Sequence, residues 1–235
     1  MESYYLECAE NYKFVQERVT NAAIKAGKDP ESVKLIAVTK TVEAGAIIAV
    51  IEAGATAIGE NRVQEIAQKQ EALASFKKEV HMIGTLQTNK VKYLPGLVDM
   101  IQSVNSEKLA QQINKEFEKK NLIANILVEV NIGEESSKSG TTFEEVETLL
   151  HSLKNLPFLK VNGLMAIPPM GDELEVRKHF AQMYKLFVDI KQKNIDNISM
   201  DVLSMGMSGD FESAILEGAT TVRVGTAIFG RRVYK

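Results

Sequence analysis

Lys40 closes an apolar run, Leu35-Ile36-Ala37-Val38-Thr39, and is the first residue of this sequence whose setting could make it a reagent. A lysine at the end of a buried strand is partly desolvated, which lowers its pKa and frees the amine to attack a carbonyl carbon. The same position also fits a surface lysine with its ammonium in water. Leu203-Ser204-Met205-Gly206-Met207-Ser208-Gly209-Asp210 points to anion binding. Gly206 and Gly209 let backbone N–H groups approach a ligand, and Ser204 and Ser208 add hydroxyls. An ordinary turn with Ser208 as helix N-cap has the same composition. Further on, Gly225-Thr226 forms a second short turn directly after Val222-Arg223-Val224. Strand alternation aims Arg223 into whatever lies at the strand ends; the other reading is an interior arginine paired with a carboxylate. Asn61, in Gly59-Glu60-Asn61-Arg62, either hydrogen-bonds a ligand or caps the helix that follows.

These residues need elements to hold them. Short β-rich apolar runs alternate with amphipathic segments along the chain. The runs are Lys34–Lys40, Ala57–Asn61, Glu79–Gly84, Met100–Val104, Ala124–Asn131, Lys160–Ile167, Ile198–Gly206 and Thr220–Gly225. Helical periodicity covers Glu7–Lys25 ahead of the first run. Between the runs it covers Ala44–Ala53, Val63–Phe76, Thr88–Leu94, Glu107–Lys119, Phe143–Leu153, Glu173–Lys193 and Phe211–Glu217. Continuously apolar runs such as Ile126-Leu127-Val128 are the mark of parallel strands covered by helices on their outer faces. Eight such units without a Pro/Gly-rich linker predict one closed (β/α)8 TIM barrel over residues 1–235, with an extra N-terminal helix. An open doubly wound sheet is the other arrangement. Ile51-Glu52-Ala53-Gly54-Ala55-Thr56 and Leu216-Glu217-Gly218-Ala219-Thr220 echo each other, each with a glycine where a helix should end. In a barrel, function gathers at the carboxyl ends of the strands, and phosphate sites frequently use the loops after strands seven and eight. Lys40, Asn61, Ser204, Gly206, Arg223, Gly225 and Thr226 all fall at that end.

Composition removes several classes. The 235 residues carry a formal net charge of -3, with 45% hydrophobic and 25% charged residues, an ordinary globular balance with no basic excess to attract nucleic acid. Cys8 is the one cysteine, so no disulfide framework or cysteine-based metal site is expected. Three histidines without a His-x-x-x-His pair give no support for a metal. The acidic N-terminus does not read as a signal peptide, and the longest apolar stretch, Ala44–Ile51, is too short to span a membrane. A cytoplasmic location is the expectation.

Leu35–Lys40, Gly59-Glu60-Asn61-Arg62-Val63-Gln64-Glu65, His81–Lys90, Gly163-Leu164-Met165, Leu203–Ser208 and Arg223–Gly230, in this order and spacing, resemble the pyridoxal phosphate homeostasis proteins. That family is itself similar to the N-terminal barrel domain of alanine racemase. The resemblance implies pyridoxal 5′-phosphate (PLP) as cofactor, held as a Schiff base on Lys40. It further implies Ser204, Gly225 and Thr226 at the phosphate, Asn61 near the ring, and Arg223 at the pyridine nitrogen; Gly206, in the same loop as Ser204, is expected among the cofactor-binding residues. An arginine there keeps its proton and leaves the ring nitrogen unprotonated, so carbanions gain less stabilisation than an aspartate would give.

Racemisation needs an acid and a base on opposite faces of the α-carbon. In alanine racemases the second group comes from a C-terminal domain, which is not expected here because the sequence stops at Lys235, directly after the barrel pattern. The expectation is therefore a monomeric intracellular PLP carrier that stores, buffers or delivers the cofactor, with apo-forms of PLP-dependent enzymes as possible recipients and little or no turnover. A weak amino-acid racemase, or another small PLP-dependent enzyme, is the alternative.

Overall fold

The computed structural model describes residues 2–133, 135 and 139–230. Eight parallel strands, β1 (Lys34–Val38), β2 (Ala57–Glu60), β3 (Glu79–Met82), β4 (Met100–Val104), β5 (Ala124–Val130), β6 (Leu159–Ala166), β7 (Ile198–Ser204) and β8 (Thr221–Val224), close in sequence order into a barrel. Closure is made by β1 against β8, with Lys34 opposite Thr221 and Ile36 opposite Arg223. The closed barrel of the sequence reading is what forms, and each expected strand falls within two residues of an observed one at both ends.

The covering helices are α1 (Glu2–Lys25), α2 (Ala44–Glu52), α3 (Val63–Leu73), α4 (Glu107–Glu118), α5 (Val146–Leu153), α6 (Glu173–Gln192), α7 (Phe211–Leu216) and α8 (Thr226–Phe229). Their apolar stripes and the outward-facing strand residues share one buried layer, in which Leu35 and Ala37 of β1 meet α1 side chains such as Val15 and Val19. Helix α8 is only four residues long, too short to shield β8. The 24-residue α1 packs beside α8, burying Cys8, Tyr12, Val15, Val19, Ala22 and Ala23 at helical spacing. It lies against α2, α7 and α8, and is tied there by Tyr4 Oη and Asn11 Nδ2 donating to Phe229 O and Ile228 O. The Tyr4 contact draws the helix start back to Glu2, five residues earlier than the periodicity predicts.

Helical expectations change at several places, and α3 ends at Leu73 rather than Phe76. Thr88–Tyr93 is a 3₁₀ turn rather than an α-helix, with Lys90 N–H on Gln87 O and Leu94 N–H on Val91 O; only Val91 of its six residues is buried, and Pro95 follows. Helix α5 starts at Val146 rather than Phe143, because Thr142–Glu145 is a turn closed by Thr142 Oγ1 donating to Glu145 Oε2. The four-residue α8 carries too little periodicity to be seen in sequence. The echoed turns behave as expected: Gly54 and Gly218 adopt φ 113° and 111°.

Candidate functional site

Lys40 stands at the carboxyl-terminal rim of the barrel, half-buried, and the chain on either side of it is fixed by α3. Lys69 Nζ donates to Thr39 O at 2.8 Å, to Glu60 Oε1 at 2.7 Å and to Glu65 Oε2 at 3.2 Å, using all three of its protons. Thr39 Oγ1 donates to Glu60 Oε1 at 2.6 Å. On the other side Thr41, at φ 62°, donates its N–H to Glu65 Oε2 at 2.6 Å. A β-branched residue rarely takes that conformation, so the Glu65 contact supports a bend the chain would not hold alone. Glu60 is 1% exposed; burial pushes its carboxyl above the usual range, against Lys69 and Thr39. Glu65 and Lys69, one helical turn apart on α3, are legible as a pair, but nothing local ties them to Lys40 twenty-nine residues before Lys69.

Arg223 lies inside the barrel, 4% exposed. Its Nη1 donates to Ser204 Oγ at 2.5 Å and its Nη2 to Ala166 O at 3.0 Å. Among the described residues no carboxylate lies within ion-pair distance of it, so the paired-arginine reading does not hold. Burial lowers its pKa to about 10, with the charges of Asp210 and Glu129 acting the other way, and the guanidinium remains protonated at neutral pH.

Ser204 is 0% exposed and its hydroxyl is committed to Arg223 and to Gln102 Oε1. It sits a level below the turns, against the expectation of a phosphate contact. Ser208 takes the rim position instead. Its Oγ accepts from Gly225 N at 3.2 Å and from Ala227 N at 3.3 Å, joining the turns after β7 and β8. The N-cap of α7 is Asp210, so Ser208 is not the cap. Gly206, at φ 94°, is buried, and a Cβ there would lie 2.6 Å from Ala214 Cβ; its part is to let the β7 turn close onto α7. Thr226 is exposed at the start of α8, beside Gly225. Asn61 is half-buried at the end of β2, and the N-cap of α3 is Arg62, so the capping reading of Asn61 also falls.

One further mouth residue, Glu129, escaped the sequence reading. Register places Glu129 opposite Met165 and Met165 opposite Ser204, so all three face inward at one level. Glu129 Oε1 accepts from Ser139 Oγ at 2.8 Å, its Oε2 has no partner among the described residues, and burial raises its pKa. Its signal was a lone acid in the apolar run Ile126–Val130. Asn131, by contrast, is turned onto the following loop through Glu135 N and O.

PLP presents an aldehyde, a ring nitrogen and a phosphate, and the rim offers a match for each. Two backbone N–H groups converge on the Ser208 oxygen, leaving its hydroxyl proton for a phosphate oxygen. A buried guanidinium has donors beyond the two its protein partners use, and the Lys40 amine follows the end of β1. The residues fit the group. A cavity of about 490 Å³ lies elsewhere, on the barrel flank between α3 and α4, where the 3₁₀ turn leaves β2 and β3 less covered; it meets the rim only through Glu60 and Lys69.

Residues 10–233 match the sequence profile of the alanine racemase N-terminal domain. The pyridoxal phosphate homeostasis protein of Aquifex aeolicus is 42% identical over 230 residues, covering 97% of this chain and 100% of the relative. That of Escherichia coli K12 is 37% identical over 232 residues, covering 97% and 98%. PipY of Synechococcus elongatus PCC7942, solved with PLP bound, superposes with a TM-score of 0.80 at 33% identity over 92% of this chain and 100% of PipY. Alanine racemase of Corynebacterium glutamicum shares the fold at a TM-score of 0.73 and 17% identity, over 96% of this chain and 61% of the racemase. The chain therefore belongs to the pyridoxal phosphate homeostasis protein family, built on the barrel that alanine racemase carries as its N-terminal domain.

Proposed function

We propose that this chain, acting as one binding domain over residues 1–235, holds PLP at the barrel mouth as a Schiff base on Lys40 and serves to store, buffer or deliver it. The observation that carries this reading is the placement at one rim of an amine two residues past β1, a buried guanidinium on β8 and the joined turns of Ser208 and Gly225, together with the likeness to PipY, which was solved with PLP bound.

Bound PLP supplies an electron-withdrawing ring conjugated to the carbon that carries the lysine nitrogen. The chain's own residues decide how strong that withdrawal is. Arg223 donates to the ring nitrogen without giving up its proton, which keeps the ring a weak sink. Ser208, oriented by the N–H groups of Gly225 and Ala227, donates its hydroxyl proton to the phosphate, with Thr226 beside it, and Asn61 borders the ring. The α3 clamp on Thr39 and Thr41 fixes the backbone from which Lys40 reaches the aldehyde. A site that grips the cofactor and weakly activates it suits a carrier. Its recipients would be apo-forms of PLP-dependent enzymes, and its working state a cytoplasmic monomer.

Absorption spectra of the purified protein before and after borohydride, followed by peptide mapping, test the attachment. The expected result is a visible band that borohydride removes and a modified peptide containing Lys40; a colourless protein that refuses added PLP would overturn the reading. Single L-amino acids in deuterated water separate carrier from enzyme, since steady α-deuteration with turnover would contradict a pure carrier.

A further inference from the structure

A single file of hydrogen bonds crosses the barrel interior from Arg223 to the opposite face. Arg223 Nη1 donates to Ser204 Oγ (2.5 Å), and Ser204 Oγ to Gln102 Oε1 (2.7 Å). Gln102 Nε2 lies 2.9 Å from His81 Nδ1, and His81 Nε2 lies 2.9 Å from Glu79 Oε2. Lys34 Nζ closes the file on Glu79 at 2.6 Å. Five strands contribute to it: β8, β7, β4, β3 and β1. Arg223, Ser204, Gln102 and His81 are each under 5% exposed, whereas Glu79 and Lys34 reach solvent at the other end.

The ends dictate the direction of every proton between them. A guanidinium has no acceptor and an ionised carboxylate has no donor. Ser204 therefore accepts from Arg223 and must give its one proton to Gln102. That fixes the Gln102 amide with oxygen toward Ser204 and nitrogen toward His81, and so fixes neutral His81 as the Nε2–H tautomer pointing at Glu79. Reversing the amide would leave Ser204 with two donors and no acceptor. Each member removes a freedom of the one before it: Gln102 stops the hydroxyl from rotating, His81 stops the amide from flipping, and Glu79 stops the ring from flipping. An arginine held by a hydroxyl rather than a carboxylate depends on such a succession for a fixed angle.

We propose that Gln102 and His81 are positioning residues that hold Arg223 at the angle its contact with the cofactor ring nitrogen requires. This rests on the reading that PLP occupies the mouth, and the test keeps the two apart. Gln102→Leu and His81→Leu break the file, whereas His81→Asn keeps an acceptor facing Gln102. With PLP labelled with ¹⁵N at the ring, both leucine variants should still be fixed on Lys40 by borohydride. They should lose cofactor affinity on the order of tenfold, the scale of one charge-assisted hydrogen bond, and shift the ring nitrogen signal. His81→Asn should restore both. Leucine variants with wild-type affinity and signal would overturn the proposal. Should they fail to fold, ¹⁵N-histidine spectra of the unloaded wild type decide it: a neutral Nε2–H tautomer at His81 supports the file, and a neutral Nδ1–H tautomer overturns it. Failure of borohydride to fix PLP on Lys40 in the wild type would instead refute the cofactor reading and leave the tautomer result standing.

Discussion

Lys69 spends its whole charge on the chain around Lys40, and that makes it the most exposed point of the site to mutation. Removing its ammonium would leave the Glu60 carboxyl buried without a cation, a situation that costs about 3–5 kcal/mol. Lys69→Met should therefore destabilise the protein by roughly that amount in denaturant unfolding, and Glu60→Gln in the same chain should recover much of the loss. A Lys69→Met protein as stable as wild type would mean that the clamp contributes nothing. At the rim, Ser208→Ala should weaken PLP retention by about 1–3 kcal/mol, the usual effect of losing a hydrogen-bond partner of a charged group. Ser204→Ala should act differently, by loosening Arg223. Equal phosphate-dependent losses in both variants, judged by comparing PLP with pyridoxal, would contradict the separation of the two serines.

Among the elements, the β7–α7 turn carries a tight steric constraint close to the site. A methyl at Gly206 would meet Ala214 Cβ at 2.6 Å and Phe211 Cα at 3.0 Å, on a backbone at φ 94° that side chains disfavour. Gly206→Ala should cost about 2–3 kcal/mol of stability and weaken PLP retention together, because α7 must shift to admit it. Thermal unfolding and cofactor titration on one preparation would check this, and loss of neither would contradict it. The strands were legible because burial on both faces writes unbroken apolar runs such as Leu35–Val38, and the helices because one face is buried. Thr88–Tyr93 misled because its turn signal and a short helix look alike when one residue in six is buried. Lys40, Arg223 and Gly225 could be picked out because their positions relative to a strand end are local facts. Ser208 against Ser204, and the roles of Glu129, Glu60 and Lys69, depend on which neighbour stands across the barrel or in the next helix, and no local pattern records that.

For the molecule as a whole, the polar file makes acid stability partly a property of its outer end. His81 above all, then Lys34, hold the Glu79 carboxyl at about 2, below its ordinary 4.5. A depressed carboxylate contributes stability that is complete above pH 4.5 and disappears as the pH falls toward 2. The melting temperature of the wild type should accordingly drop more steeply across that window than that of Glu79→Gln, and parallel curves would contradict the coupling. The described residues include no helix long and apolar enough to cross a membrane. The proposed function rests on the placement of the Lys40 amine at the barrel rim. Intact-mass and peptide analysis of PLP-loaded, borohydride-treated protein, wild type beside Lys40→Ala, addresses it most directly. The account predicts one stable adduct on the Lys40 peptide of the wild type and none in a still-folded Lys40→Ala; an adduct on another lysine, or the same yield in both proteins, would contradict it.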